Sequence, residues 1–353
     1  MMRRPVVQLA RRALGGIQAR AYSSNAEPRH LMSIADLTPN EFATLVRNAS
    51  SHKQAIKAGT TPDCLKNKLA GQAVAMLFSK RSTRTRVSTE SAVVQLGGHP
   101  MFLGKDDIQL GVNESLHDTS VVISSMVSGM VARVGPHSDV TGLAEHSTVP
   151  VINALSDDFH PLQIIADFLT VSEFFPSKSS GPGLGLESLK VAWIGDSNNV
   201  LFDLAIGCIK MGVDISVASP SGYGIPEPMR EFIISCAAGL NSPGKLIETT
   251  VPEEAVKNAD ILVTDTWVSM GQESETQKRL EAFEGFQITN SLAKRGGAND
   301  DWKFMHCLPR HQEEVADEVF YGPKSLVFPE AENRLWAAIS ALESFVVKKG
   351  KIA

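Results

Sequence analysis

Short apolar runs alternate with longer helical patterns along most of this chain, and this alternation restricts its fold more than any other feature. Residues 72–78 predict a buried strand, and residues 83–96 follow with helical spacing. The pattern recurs in the second half, where residues 190–195 predict a strand and residues 200–211 a helix. Strands that alternate with helices favour a parallel sheet with helices on both faces. We therefore predict an α/β protein with two doubly wound domains, each with a central parallel sheet flanked by helices.

The boundary between the two domains is predicted from composition. A chain of 353 residues is long enough for two hydrophobic cores. Residues 177–185 are rich in Ser, Gly and Pro, which is typical of a linker. We expect the first domain at residues 30–175 and the second at residues 186–328, joined by interdomain helices that include residues 160–174.

The N-terminal segment differs in charge from the rest of the chain. Residues 1–26 contain five arginines and no acidic residue, with apolar residues between the arginines. This composition is typical of a mitochondrial transit peptide. We predict that residues 1–22 direct the protein to the mitochondrial matrix and are cleaved after Tyr22, and a disordered basic tail is the alternative. Because five arginines are removed with this segment, the formal net charge falls from −5 to −10.

Composition also argues against several classes of protein. No apolar run approaches the ~18 residues of a membrane span. The net charge of −5 gives no sign of a nucleic-acid-binding protein. The cysteines lack C-x-x-C spacing, so we expect no metal site; they are Cys64, Cys208, Cys236 and Cys307.

The segment Ser82-Thr83-Arg84-Thr85-Arg86 lies where a predicted strand ends and a helix begins. Backbone N–H groups at a helix N-terminus are unpaired, and the helix dipole favours an anion there. Hydroxyl and guanidinium groups add donors suited to phosphate oxygens. The alternative is a capped helix with solvated arginines. Because the segment lacks a glycine-rich Walker pattern, we predict a site for a small phosphate-bearing substrate and not for a nucleoside triphosphate.

Other polar residues follow predicted strands or begin helices. His160 and Gln163 lie three residues apart at a helix start, so both would face one side of it. The segment 196–199 and Asp265 follow strands of the second half, where open α/β sheets bind ligands, and Asp265 would attract a cationic substrate. Cys307 stands among basic residues, which predicts a lowered pKa for its thiol. Taken alone, each of these features is also explained by capping, turn chemistry or packing.

Taken together, these segments resemble the carbamoyltransferase family, and within it the ornithine branch. The resemblance runs from His30 to the C-terminus. Five motifs carry it: Ser82-Thr83-Arg84-Thr85-Arg86, His160-Pro161-Leu162-Gln163, Asp265 with Ser269-Met270-Gly271, His306-Cys307-Leu308-Pro309 and Phe328-Pro329-Glu330-Ala331-Glu332-Asn333-Arg334. The first two motifs are common to carbamoyltransferases, whereas Ser-Met-Gly and His-Cys-Leu-Pro are similar to those of the ornithine branch.

The resemblance implies a carbamoyl phosphate-binding first domain, an ornithine-binding second domain, and a C-terminal helix in residues 329–353 that packs back on the first domain. It implies transfer of the carbamoyl group to the side-chain amine of L-ornithine, giving L-citrulline and phosphate in arginine biosynthesis, without a metal or organic cofactor. The implied contacts of carbamoyl phosphate are Ser82, Thr83, Arg84, Thr85, Arg133, His160, Gln163, Cys307, Leu308 and Arg334. The implied contacts of ornithine are Asn199, Asp265, Ser269 and Met270. The implied catalytic residues are Arg133, His160, Asp265 and Cys307.

The resemblance further implies a homotrimer with active sites at subunit contacts, where Gln109 of a neighbouring subunit completes each site. Several alternatives stay open at this stage. The acceptor amine is ornithine, N-acetylornithine, putrescine or aspartate, although Asp265 has the wrong charge for aspartate. A catalytically silent regulatory subunit is disfavoured by an intact residue set: Arg84, Arg133, His160, Gln163 and Cys307. The proton acceptor is Cys307, Asp265 or the phosphate.

Overall fold

The structure is a computed structural model that describes residues 27–108, 114–175, 183–268 and 273–352. The predicted transit peptide, the cleavage site after Tyr22, and the site residues Gln109, Ser269 and Met270 lie outside the described residues. Within the described residues, no helix is both long and apolar enough to cross a membrane.

The first domain is built on a four-stranded parallel sheet with strand order β2-β1-β3-β4. The strands are β1 (Ala73–Phe78), β2 (His99–Gly104), β3 (Gly129–Arg133) and β4 (Val151–Leu155). The helices are α1 (Pro39–Lys57), α2 (Thr83–Gln95), α3 (Leu116–Ser124), α4 (His137–Glu145) and α5 (Pro161–Phe174).

The second domain is built on a five-stranded parallel sheet with strand order β7-β6-β5-β8-β9. The strands are β5 (Lys190–Ile194), β6 (Asp214–Ala218), β7 (Leu246–Thr249), β8 (Ile261–Thr264) and β9 (Lys303–His306). The helices are α6 (Asn199–Met211), α7 (Glu227–Ser235), α8 (Pro252–Val256), α9 (Thr276–Ala282), α10 (Asn290–Gly296), α11 (Asp317–Phe320) and α12 (Val327–Leu342). The predicted α/β class with two parallel sheets is confirmed.

Helix α12 lies at the C-terminal end of the chain but packs against α1, α2 and α5 of the first domain. Its residues Trp336 and Ile339 share a hydrophobic cluster with Phe168 of α5 and Ile206 of α6. One continuous core therefore joins the two sheets through α5, α6 and α12. This packing fixes side chains of α12 relative to the ends of both sheets.

Local sequence signals explain several element boundaries. The order Thr38, Pro39 and Glu41 predicts a helix start with Thr38 as the N-cap. Helix α1 begins there with a capping box, in which the Thr38 side chain accepts from the Glu41 N–H and the Glu41 carboxylate accepts from the Thr38 N–H. The pattern of residues 115–128 predicts a helix that ends at Ser128, but helix α3 ends four residues earlier, at Ser124. The N–H of Ser128 instead donates to the carbonyl of Ala73 beside the first sheet. This helix end was therefore predicted too late.

The last helix also differs from the one that the sequence pattern predicts within residues 329–353, which runs from Ala331 to Val347. Helix α12 begins at Val327, and it continues into a π-helical turn at Glu343–Val347. Pro329 lies in the first turn, where its missing N–H removes no helical hydrogen bond. The proline therefore did not mark the helix start, and Glu330 becomes a helical residue that faces the interior.

Candidate active site

The carboxyl ends of both sheets carry the predicted site residues. In each sheet the chain order reverses at one point, between β1 and β3 in the first and between β5 and β8 in the second. Ligands of open α/β sheets bind at such reversal points. Ser82 follows β1 and Arg133 ends β3, whereas Asn198 follows β5 and Asp265 follows β8. Both reversal points therefore contribute polar side chains to one region between the domains.

The first reversal point contains the N-terminus of α2. Ser82 is the N-cap residue, and its Oγ accepts a hydrogen bond from the N–H of Thr85 at 3.3 Å. Thr85 is buried, and its Oγ1 lies 3.3 Å from Nη2 of Arg334. Thr83 is exposed and Arg84 half-buried in the first turn. The predicted helix start is confirmed, and it places unpaired N–H groups beside a guanidinium group.

Three guanidinium groups gather at this point, those of Arg84, Arg133 and Arg334. Burial, with the nearby charges of Arg334 and Arg84, lowers the pKa of Arg133 to about 10. Burial and the charge of Arg84 also lower the pKa of Arg334. The Nε atoms of Arg133 and Arg334 are buried and have no hydrogen-bond partner among the described residues. The cluster is thus built to receive an anion, which would relieve the repulsion and supply acceptors.

His160 precedes α5, and its backbone N–H donates to the Asp203 carboxylate at 2.8 Å. The side chain does not cap the helix. Its Nε2 lies 3.5 Å from Nη1 of Arg334, and burial together with the nearby arginines holds its pKa well below the ordinary value. The ring is therefore neutral at neutral pH. Because Nε2 faces a donor, Nδ1 carries the hydrogen, and this buried atom has no partner among the described residues.

Gln163 contacts the same arginine from the next position on that helix face. Its Oε1 accepts from Nη1 of Arg334 at 2.5 Å. Its Nε2 donates to Oδ1 of Asp167 and to Oε1 of Glu330, both at 2.8 Å. Neither of these two carboxyl groups was selected from the sequence. Asp167 is the one polar residue in the run 164–169, four residues after Gln163, and that was an available signal.

Cys307 follows β9, and its surroundings differ from the prediction. Burial and the charge of Asp265 raise the pKa of the thiol well above its ordinary value, and Arg334 opposes them only in part. The adjacent His306 faces away, because its Nε2 lies 3.0 Å from the Glu314 carboxylate. The predicted lowered pKa was therefore wrong, because burial and the charge of Asp265 outweigh the nearby arginines. The thiol is neutral at neutral pH.

Leu308 connects this strand end to the first domain. Its backbone φ is 61°, in the left-handed region, and its N–H donates to Nδ1 of His306 at 2.9 Å. The carbonyl of Leu308 accepts a hydrogen bond from the guanidinium group of Arg84. A backbone carbonyl of the second domain therefore orients an arginine of the first.

On the second-domain side, Asp265 is buried, and burial raises its pKa. Nδ2 of Asn198 donates to Oδ2 of Asp265 at 3.0 Å. Asn199 instead donates its side-chain N–H to the carbonyl of Ser156 in the first domain at 2.6 Å. The structure thus brings Asn198, which was not selected, to the candidate acid, whereas Asn199 links the domains.

A group of possible metal ligands lies outside the arginine cluster. Within the described residues, ligand atoms of His52, Cys64 and Glu343 lie within 4.8 Å of one another. The Glu343 carboxylate already accepts from His52 at 2.7 Å and pairs with Lys348 at 3.0 Å. These contacts satisfy the carboxylate without an ion.

Comparison with known proteins supports the resemblance. Residues 29–173 match the family "Aspartate/ornithine carbamoyltransferase, carbamoyl-P binding domain", and residues 187–345 match its "Asp/Orn binding domain". Mitochondrial ornithine carbamoyltransferase from Aspergillus terreus is 73% identical over 92% of this chain and 91% of its own length. The ornithine carbamoyltransferase of Saccharomyces cerevisiae is 49% identical over 93% of this chain and 97% of its own length.

Solved structures give the same result. The mitochondrial ornithine carbamoyltransferase of Coccidioides immitis has a TM-score of 0.87 at 68% identity, covering 92% of this chain and 100% of its own. The enzyme from Pyrococcus furiosus has a TM-score of 0.82 at 40% identity, covering 91% of this chain and 97% of its own. The chain therefore belongs to the aspartate/ornithine carbamoyltransferase family.

Proposed function

We propose that this protein transfers the carbamoyl group of carbamoyl phosphate to the side-chain amine of L-ornithine, forming L-citrulline and phosphate in arginine biosynthesis. The observation that carries the proposal is the arrangement of charges. Three buried or half-buried guanidinium groups gather at the N-terminus of α2. The buried carboxyl group of Asp265 follows β8 of the second domain and lies close enough for its charge to act on Arg133. This arrangement suits a phosphate on one side and an amine on the other.

Carbamoyl phosphate would bind at the first-domain side of the cluster. Ser82, Thr83 and Thr85 would offer hydroxyl and backbone N–H groups at the helix N-terminus, where the dipole favours an anion. Arg84 and Arg133 would bind phosphate oxygens, because their charges are close and otherwise repel each other. Binding would then replace repulsion among the arginines with attraction to the dianion.

The carbamoyl carbonyl would lie between Arg133 and His160. The amine attacks the carbonyl carbon, a C–N bond forms, and the carbonyl oxygen gains negative charge. The Nδ1–H of His160 is an unpartnered donor for that oxygen, with Arg133 and Thr85 beside it. Each donor of this kind contributes ~2.7–4 kcal/mol to stabilising the transition state. The C–O bond to phosphate then breaks, and the phosphate leaves with the electron pair.

The contacts of the carbamoyl amine would come from the α5–α12 side. Gln163 presents its Oε1 beside Arg334, and Cys307 with Leu308 contributes the backbone after β9. A carbonyl oxygen accepts from an NH₂ group, so this side suits a carbamoyl group.

The acceptor amine would be held by Asp265, whose charge attracts an ammonium group and orients the free amine after deprotonation. Asn199, Ser269 and Met270 are proposed to complete the ornithine site. Because the Cys307 thiol is neutral with a raised pKa, it is a weak proton acceptor and orients the amine instead. Asp265 and the leaving phosphate are the groups left to take the proton.

A panel of amines tests the choice of substrate. We expect the enzyme to carbamoylate L-ornithine with a higher kcat/KM than N-acetylornithine, putrescine or aspartate. Asp265→Asn would lower kcat/KM for ornithine, because it removes the charge while keeping the shape. Turnover with another amine and none with ornithine would refute the proposal.

We also propose a homotrimer with a neighbour's residue, such as Gln109, at each site. Exposed apolar side chains on β2 and beside α3 support an interface there, including Met101, Val122 and Met126. A cavity of about 560 Å³ lies among residues of the same surface, such as Leu103 and Ile123. Sedimentation equilibrium should give three times the protomer mass, and a monomeric mass would contradict the trimer.

Mitochondrial localisation follows from the leader composition and from close relatives whose names carry that compartment. We propose the matrix as the destination. Residues 1–22 fused to a fluorescent protein should direct it to the matrix, and the mature enzyme should begin after Tyr22. A diffuse cytosolic signal would contradict this assignment.

A further inference from the structure

Two carboxyl groups that the proposed mechanism does not use lie directly behind Gln163. Asp167 of α5 is 3% exposed and Glu330 of α12 is 2% exposed. Both accept from the same nitrogen, Nε2 of Gln163, at 2.8 Å, so the two carboxyl groups lie close together. Burial raises the pKa of each group above its ordinary value. The proximity of two buried carboxyl groups therefore favours a proton on one of them.

This pair occupies both N–H bonds of the Gln163 side chain. One hydrogen of Nε2 points to Asp167 Oδ1 and the other to Glu330 Oε1, each at 2.8 Å. An amide has two donors on nitrogen and an acceptor on oxygen, and turning it over exchanges them. With both donors held by carboxyl groups, only Oε1 faces Arg334 and the arginine cluster.

Glu330 also fixes the strand end that carries Cys307. Its Oε2 accepts from the backbone N–H of His306 at 2.9 Å, so each oxygen of Glu330 accepts from a different N–H group. In contrast, the Asp167 carboxyl group accepts from one N–H donor among the described residues, that of Gln163, and uses only Oδ1 for it. The two acids therefore differ in how they tolerate replacement by an amide.

We propose that the Asp167–Glu330 pair positions Gln163 as an obligatory hydrogen-bond acceptor and thereby makes the site select an NH₂ group over a methyl group on the phosphate substrate. The inference rests on the proposed function and deepens it, because it assigns the discrimination between carbamoyl and acetyl phosphates to two residues away from the reacting atoms. Both are positioning residues that act through Gln163.

The chemistry of the two substrates explains the selection. The carbamoyl NH₂ donates to Oε1 of Gln163, whereas a methyl group of the same size leaves that oxygen without the bond and still removes water from it. Oε1 then keeps only its bond from Arg334, and a buried oxygen that loses its second hydrogen bond is costly, so we expect roughly tenfold discrimination. If the Gln163 amide were turned over, its NH₂ group would face the substrate, and the preference for a carbamoyl over an acetyl group would be lost.

Two stable probes measure the preference without turnover. Carbamoylmethylphosphonate and 2-oxopropylphosphonate differ only in NH₂ against CH₃, and titration calorimetry gives their dissociation constants. The ratio of the two constants is the readout. A general loss of packing weakens both probes and leaves the ratio unchanged, whereas loss of the Gln163 orientation changes it.

Three variants separate the effect of Glu330 on Gln163 from that of Asp167 and from the general effect of removing a buried carboxylate. In Glu330→Gln, one oxygen becomes NH₂ and faces the N–H of Gln163 or of His306, so we expect the ratio to fall about tenfold toward unity. In Asp167→Asn, the amide oxygen still accepts from Gln163 while its NH₂ donates to Glu330, so the ratio is retained. Glu343→Gln is the matched control, because it removes a buried carboxylate on the segment after α12 that contacts His52 and Lys348.

The outcomes are decisive. A wild-type ratio in folded Glu330→Gln, or no preference in the wild type, would overturn the inference. If Glu330→Gln does not fold, Glu330→Asp serves instead, because its shorter side chain moves the acceptor oxygen away from Gln163 without changing the charge. A wild-type ratio in Glu330→Asp would also overturn the inference. Citrulline formation by the wild type is measured in parallel. Loss of that activity would count against the proposed function, whereas retained activity with an unaltered ratio would count against this inference alone.

Discussion

Replacing Arg133 by methionine should stabilise the unliganded protein and at the same time inactivate it. Arg133 is 8% exposed, and its Nε has no hydrogen-bond partner among the described residues. It also lies close to the charges of Arg334 and Arg84. Methionine keeps an unbranched apolar stem and removes the charge.

The magnitude follows from the pKa of Arg133. A fall from the ordinary arginine pKa to about 10 corresponds to roughly 3 kcal/mol by which the folded state disfavours the charged form. Methionine also removes the hydrogen-bond donors of the arginine side chain, which offsets part of this gain. We therefore expect the free energy of unfolding to rise by ~1–3 kcal/mol, or the Tm by a few degrees. Losing one donor to the developing oxyanion should lower kcat by about 100- to 1,000-fold.

Differential scanning calorimetry with and without phosphate measures the first effect, and citrulline formation measures the second. Phosphate should raise the Tm of the wild type more than that of Arg133→Met. Arg295→Met is the control, because it removes the same charge from an exposed pair with Glu253. A lowered Tm with undiminished activity would refute the assignment of Arg133 to a repulsive anion site.

Other changes test separate parts of the site and fold. Arg84→Ala should largely abolish carbamoyl phosphate binding with an unchanged circular dichroism spectrum, and unchanged affinity by calorimetry would contradict the anion site. Cys307→Ser should mainly raise the KM for ornithine, and a defect confined to carbamoyl phosphate would count against its role. Thr38→Ala should lower the free energy of unfolding by about 1 kcal/mol without changing kcat, because it removes the cap of α1. A hydrogen bond from Arg29 lowers the pKa of Glu41 to about 2, below its ordinary 4.5. The stability that the ionised Glu41 carboxylate contributes is complete above pH 4.5 and is lost as the pH falls through 2. Glu41→Gln should therefore make the free energy of unfolding, measured with urea, depend less on pH on the acid side. An unchanged pH dependence would contradict this prediction.

Local signals in the sequence were sufficient for much of the fold. The capping box of α1 and the junction at Ser82 depend on residues within one turn, and both were predicted. The missed strands β2, β7 and β9 lie at sheet edges. Strands β2 and β7 expose part of their residues, and β9 has only four, so their apolar runs are weak signals.

The electrostatics of the site could not be predicted in the same way. The sequence places basic residues beside Cys307, but folding buries the thiol within reach of the charge of Asp265, and both effects raise its pKa. The contact between Gln163 and Glu330 joins residues 167 positions apart, and no local pattern predicts it. Such contacts are set by how α5 and α12 pack, which sequence periodicity does not specify.

The most direct test of the proposed activity is a product analysis with carbamoyl phosphate and L-ornithine. Mass spectrometry would quantify citrulline, and a colorimetric assay would quantify phosphate, over the same time course. We predict that the two products form in a one-to-one ratio and that neither accumulates above the uncatalysed rate with Arg84→Ala. Phosphate release without citrulline would contradict carbamoyl transfer to ornithine.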